Sequence, residues 1–131
     1  MSVKSKKVKP FEFFKRSKCP VTNTLDVIGD KWTLVIIRDL FLGKKTYGDF
    51  QSSPEGMPTN ILADRLKRLE ASGIVFKQPY QQKPVRYEYV LTEKGQDLGN
   101  VLLALKAWGL KHIPGTNAEL ADQILNKNKI G

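Results

Sequence analysis

The strongest periodicity in the chain lies between Pro58 and Gly73, where Leu62, Leu66 and Leu69 recur at i, i+4 and i+7 and form one apolar stripe of a helix. Asn60, Asp64, Lys67 and Arg68 fall roughly 140–240° around the axis from that stripe, at about 100° per residue. The opposite face therefore carries an amide, a carboxylate and two cations. Pro58 suits a first helical position, where a missing N–H costs nothing, and Gly73 supplies the stop. Upstream, Val21, Leu25 and Ile28 repeat at helical spacing behind Cys19-Pro20, and Gly29 interrupts them. Asp30 is placed to cap a second helix from about Lys31. Trp32, Val35, Ile36, Leu40 and Phe41 surround much of its girth, which predicts the central buried helix. That helix stops at Gly43-Lys44-Lys45. A short helix around Tyr47 to Ser52 is anchored by Phe50, and Ser53-Pro54-Glu55-Gly56 reads as a turn.

After Gly73 the period changes from about 3.6 to 2. Ile74 to Gln78 is rich in strand formers, and Val85 to Leu91 alternates well. Between them Pro79 to Pro84 forms a polar tip bounded by prolines, so a two-stranded hairpin directly follows the reader-like helix. A hairpin of this size must pack on the helices to be stable. Thr92 then caps a helix with Glu93 and Lys94 in its first turn, continued by Leu98, Leu102, Leu105 and Trp108 and ended by Pro114-Gly115. Asn117 is placed to cap a last helix, Ala118 to Asn126, with Leu120, Ile124 and Leu125 as its apolar face. Two helices joined by a turn, then a hairpin and a further helix, give the order of a winged helix-turn-helix: α+β, mostly α, with helices added at both ends.

Composition adds a partner. The chain has 131 residues, a formal charge of +9 and a pI near 9.7, which favours a polyanion, double-stranded DNA before an anionic membrane. Residues 1–18 hold seven Lys/Arg against Glu12 alone. Residues 1–10 read as a flexible basic arm, either touching phosphates or merely solvated, and 11–131 as one domain. Phe11, Phe13 and Phe14 form an aromatic cluster in need of a surface. One cysteine precludes an intramolecular disulfide, and with a single histidine, His112, argues against structural zinc. Apolar runs are too short to span a bilayer and the N-terminus lacks a secretory h-region, so a cytoplasmic protein is expected, without membrane contact. Paired carboxylates, a Ser/His/Asp set and a glycine-rich phosphate loop are all missing, which argues against an enzyme or a bound cofactor.

For the reader helix, Thr59 and Asn60 at its start are the candidates to reach base edges, where Asn pairs with adenine. Lys67 and Arg68, further along, suit phosphates. Arg65 lies towards the apolar flank and fits either a phosphate or an internal carboxylate. Asp64 fits a cytosine amine or, the reading favoured here, orients Arg68 at i+4. At the wing tip Gln81, Gln82 and Lys83 are candidate minor-groove or phosphate contacts, with Arg86 leaning on the backbone nearby. Trp32 and Trp108 read as core or dimer packing. Cys19, just before a helix start and beside Lys18, has the setting of a reactive thiol, although a small buried hydrophobe is the plainer reading.

Three segments together resemble the HxlR-type winged-helix regulators, relatives of the MarR group: C-P-V-x-x-T-L-D-x-I-G-x-K-W at Cys19–Trp32, R-L-K-R-L-E-x-S-G-I-V at Arg65–Val75 and P-V-R-Y-E-Y-x-L-T-E-K-G at Pro84–Gly95. The similarity runs from about residue 12 to 113. The resemblance implies a DNA-binding transcription factor that works as a homodimer through its N- and C-terminal helices, which would account for the apolar positions between Leu120 and Ile130. It further implies, for some members, sensing of oxidants or electrophiles through the cysteine aligned with Cys19; a small-molecule effector stays open. Departures are Gly29-Asp30 where Gly-Gly is common, Pro58 where Ser is common, and Thr46-Tyr47 where a basic residue often precedes the aromatic, so that one phosphate contact is either missing or replaced by Lys44 or Lys45. The rival reading is a winged helix used only for protein–protein contact. An apolar outer face on the reader helix would favour it, whereas this face is polar and basic.

Overall fold

The structure, a computed structural model, describes residues 17–117. The basic arm, the Phe11–Phe14 cluster and the expected last helix from Ala118 lie outside the described residues. In order the elements are α1 (Pro20–Ile28), α2 (Lys31–Phe41), α3 (Tyr47–Gln51), α4 (Thr59–Ala71), β1 (Val75–Gln82), β2 (Val85–Leu91), α5 (Glu93–Gln96) and α6 (Gly99–His112). The fold is a mostly helical winged helix-turn-helix, with α3 and α4 as the motif and β1–β2 as an antiparallel wing.

The core forms where α2, α3, α4 and the base of the wing meet. Ile36, Ile37, Phe50, Leu62, Leu66, Leu69, Ile74 and Val75 are buried there. Leu62, Leu66 and Leu69 are 0, 1 and 2 % exposed, so the stripe predicted for α4 is its buried face. Full burial of each leucine is worth about 1.5–3 kcal/mol. Helix α2 is central as expected, packing on α1, α4 and β2. Its start is capped by Asp30, whose carboxylate accepts from the Trp32 and Thr33 amides. Thr46 and Asp49 form a capping box on α3 that the sequence reading missed.

Three expectations change. Pro58 is the N-cap of α4, not its first helical residue: Met57 is buried, the chain arrives extended, and Pro58 keeps ψ at 147° while its carbonyl accepts the first helical bond from the Leu62 amide. The wing has no six-residue tip, because β1 runs through Pro79 to Gln82 and only Lys83-Pro84 turns, with a cis peptide between them. The ladder accommodates Pro79, which has no N–H to give, by a register shift between Pro79 and Gln81. The helix after the wing is broken in two at Asp97–Leu98, where the Leu98 amide bonds back to the Gly95 carbonyl at 3.0 Å and tightens the turn. The Val21/Leu25/Ile28 series of α1 divides between core and surface. Ile28 is buried, but Val21 and Leu25 are 66 and 58 % exposed.

The wing is tied to the helices by backbone and cap contacts. The Tyr89 amide donates to the Lys45 carbonyl at 2.8 Å, and the Thr92 amide to the Ile74 carbonyl at 3.0 Å. Thr92, which caps α5 as expected, also donates its hydroxyl to the Gly73 carbonyl at 2.6 Å. Gly73 follows the reader helix with φ +76°, a conformation that favours glycine. At Gly95 a Cβ would stand 2.3 Å from the Ile74 carbonyl oxygen, so the tight seating of α5 on the wing base requires glycine there.

Candidate DNA interface

The start of α4 is open. Pro58 offers no side-chain cap, and Thr59 and Asn60 are both exposed. The Thr59 hydroxyl accepts from Gln51 Nε2 at 3.1 Å, which joins the two helices of the motif across the turn. Gln51 was not singled out from sequence, since a lone glutamine at a helix end carries no pattern. Asn60 and Lys67 are exposed and make no side-chain hydrogen bond to another described residue. Both are presented outward, opposite the buried leucines.

Arg65 does not share that freedom. Its Nε donates to Asp30 Oδ2 at 2.6 Å and its Nη1 to Asp64 Oδ2 at 2.5 Å. Of the two readings left open for Arg65, the internal carboxylate is therefore the one the geometry favours. Asp64 in turn lies 3.2 Å from Arg68 Nε, the i+4 pairing expected of it. Burial disfavours the charged form of Asp30, but the Arg65 guanidinium and the Thr33 hydroxyl and amide outweigh it and bring its pKa down to about 2. Arg65 is raised in return, first by Asp30 and then by Asp64.

A second ion-pair group, invisible in the sequence pattern, sets the turn. Asp39 on α2 is wholly buried and accepts from the Ser53 hydroxyl and from Arg38 Nη2, the latter at 2.8 Å. Arg38 also grips Glu55 with both terminal nitrogens, at 2.8 and 2.9 Å, and Arg38 lowers the Glu55 pKa. Lys44 donates to Ser53 Oγ at 2.8 Å, so this lysine serves the turn, which leaves Lys45 as the exposed cation before α3. A buried carboxylate with satisfied partners of this kind fixes a loop in one place.

On the wing, Gln81 is partly buried and donates to the Pro84 carbonyl at 3.1 Å, closing the hairpin. Gln82, Lys83 and Arg86 are exposed. Lys77 sits 4.8 Å over the Tyr87 ring. An open cleft of about 500 Å³ between α3 and the wing gathers all four tyrosines, Tyr47, Tyr80, Tyr87 and Tyr89, with Lys77 and Arg86 at its sides. Tyr89, pressed against Tyr47 and Phe50, has its pKa raised by burial to about 12. Cys19 is exposed at the N-cap of α1, not a buried hydrophobe. Its pKa is lowered first by the backbone N–H and hydroxyl of Thr22 and then by the Val21 amide, all donors in the first turn of the helix. Trp32 packs against the core, whereas Trp108 is 61 % exposed beside His112. Among the described residues no helix is long and apolar enough to cross a membrane.

A profile of the HxlR-like helix-turn-helix family matches residues 27–117. The HTH-type transcriptional regulator YdeP of Bacillus subtilis is 38% identical over 94 residues, covering 72% of this chain and 73% of YdeP. Among solved structures, the reduced redox regulator HypR is 38% identical with a TM-score of 0.68, covering 73% of this chain and 95% of HypR. The reduced form of the transcriptional regulator YodB of B. subtilis is 30% identical with a TM-score of 0.62, covering 77% of this chain and all of that structure, 100%. With the reader helix, the turn and the wing all in place and the match running through them, the chain belongs to the HxlR-like helix-turn-helix family of transcriptional regulators.

Proposed function

We propose that this regulator binds a specific operator as a homodimer, with α4 of each copy in a major groove and each wing on the flanking backbone. The observation that carries the reading is the outer face of α4: Thr59, Asn60, Lys67 and Arg68 exposed in one helix whose leucines are buried. Asn60 at the helix start is placed to read, because its amide can make two bonds to an adenine edge. Lys67 and Arg68 are placed to hold phosphates, and Gln82, Lys83 and Arg86 to extend that hold along the wing. The homodimer reading rests on the exposed apolar residues of α1 and α6, and a two-fold dimer calls for an inverted repeat with half-sites roughly 34–36 Å apart or a multiple of that.

Selection of bound sequences from random duplexes tests this directly, and an enriched inverted repeat is the expected result. On that operator, Asn60→Ala should lose about 1–3 kcal/mol of discrimination and leave scrambled DNA almost unaffected. Lys67→Ala should weaken both and lower the salt slope by about one. Identical behaviour of the two variants would remove the division between reading and holding.

Cys19 adds a control input in this reading. Its thiol is exposed and its pKa lowered, and HypR, a similar structure, is a redox regulator. The expected outcome is faster alkylation than a free cysteine at neutral pH, with altered DNA release once the thiol is modified. Cys19→Ser should bind DNA and ignore oxidants. Wild-type DNA binding that is equally indifferent to oxidants would make Cys19 a passive cap residue.

A further inference from the structure

Resting on the reading of α4 as the DNA-reading helix, we propose that Asp30 and Arg65 form an anchor that sets the roll of α4 about its own axis, and thereby the fidelity of base reading, without touching DNA. Asp30 belongs to α2, not to the reader. It holds its own helix start through the Trp32 and Thr33 amides and accepts the Thr33 hydroxyl at 2.7 Å. On Oδ2 it also accepts Arg65 Nε at 2.6 Å. Arg65 sits on the flank of α4, between the leucine stripe and the exposed face, and passes the constraint on to Asp64 and from there to Arg68. One continuous series of charge-assisted bonds therefore joins the capped end of the central helix to a guanidinium on the reading face.

Apolar packing alone leaves this degree of freedom soft. The leucine stripe holds α4 against the core, but side chains in van der Waals contact tolerate small rotations better than a short, directional ion pair does. A roll of about 10° moves a point on a helix surface of about 5–6 Å radius by about 1 Å. Base readout needs placement within about 0.5 Å. An anchor on the flank, at the largest lever arm from the axis, is where such a roll is best resisted. The arrangement also explains the two acidic groups in a basic interface: Asp30 and Asp64 are each engaged by arginine, so neither presents an unpaired negative charge to phosphates.

The test compares wild type, Asp30→Asn, Arg65→Gln and Arg65→Lys for affinity on operator and scrambled DNA over a series of salt concentrations, beside melting curves. Asparagine caps a helix about as well as aspartate, so Asp30→Asn keeps the start of α2 and takes away the charge that makes the bond to Arg65 an ion pair. The expected result is a fall of about tenfold in the operator-to-scrambled ratio for Asp30→Asn and for Arg65→Gln alike, with an unchanged salt slope. The double variant should lose no more than either single one, because both remove the same bond. Arg65→Lys, which keeps the charge but lacks the rigid fork that holds Asp30 through Nε and Asp64 through Nη1, should also lose fidelity. If one substitution melts the protein early, Arg65→Lys decides. Unchanged ratios in the variants overturn the anchor. So does an Arg65→Gln that weakens both DNAs equally and lowers the slope by about one, since Arg65 would then be a phosphate contact. A wild-type ratio of one would instead sink the reading of α4 itself, and the anchor with it.

Discussion

Helices α4 and α6 carry similar apolar series and meet different fates. In α4 the three leucines at i, i+4 and i+7 are all buried, and polar residues take the outside. Of the apolar series in α6 Leu102 is buried, at 7 %, while Leu105 and Trp108 stand 49 and 61 % exposed. Helix α1 resembles α6, with Ile28 inside and Val21 and Leu25 outside. The winged-helix core has room for one apolar face from each of α2, α3 and α4, and the flanking helices contribute only an edge. An apolar residue left exposed on two flanking helices has a cost that a second surface removes, which is why these two helices support the dimer reading while α4 supports the DNA reading.

The comparison breaks most sharply at its buried side. Leu66→Ala opens a cavity beneath α4 and should cost about 2–5 kcal/mol of stability by thermal or urea melting, lowering DNA binding only through unfolding of the reader. An alanine there that leaves stability within experimental scatter would mean that the stripe is not what holds α4. On the exposed side, Trp108→Glu should leave monomer stability within about 0.5 kcal/mol, as for a surface site, yet weaken self-association by about 2 kcal/mol or more, as for an aromatic hot spot. Sedimentation of the wild type should show a dimer at micromolar concentration and the variant a monomer. Only monomer in the wild type would end the dimer reading.

The smallest effect concerns acid. Asp30 has a folded pKa of about 2 against an ordinary 3.8, so the folded state binds its proton more weakly than the unfolded chain does. Its contribution to stability is complete above about pH 4 and is lost as pH falls towards 2. Partial exposure of the pair reduces that contribution to about 1 kcal/mol. Urea melts between pH 5 and 2, taken beside Asp30→Asn, should show the variant with the shallower acid loss. Parallel curves would show that Asp30 titrates the same way folded and unfolded.

Much of the scaffold was legible in the chain, for physical reasons that can be named. The Asp30 cap, the Gly73 stop and the Thr92 cap act through bonds within a few residues, while the leucines of α4 and the Ser53–Gly56 turn are marked by helical spacing and by turn-forming residue types. The outer face of α4 was legible too, because opposite faces of a helix follow from its period. The wing tip and the break at Asp97–Leu98 were misread. In the first case a bulge lets a proline into a strand, and in the second the Leu98 amide turns back to the Gly95 carbonyl within a segment whose apolar spacing continues through the break.

By itself, then, the sequence determined the order of elements, the hydrophobic stripe of α4 and the residues offered opposite it, since period and capping are local properties. Only the tertiary structure decided which members of that face remain available. Arg65 is engaged by Asp30, thirty-five positions away, and Gln81 by the Pro84 carbonyl, while Asn60 and Lys67 point outward. It alone placed Asp39 in the core with Ser53, Arg38 and Lys44 around it, and it alone left Val21, Leu25 and Trp108 uncovered. Ion pairs and burial depend on where separate helices meet in space, and no period along one helix carries that information.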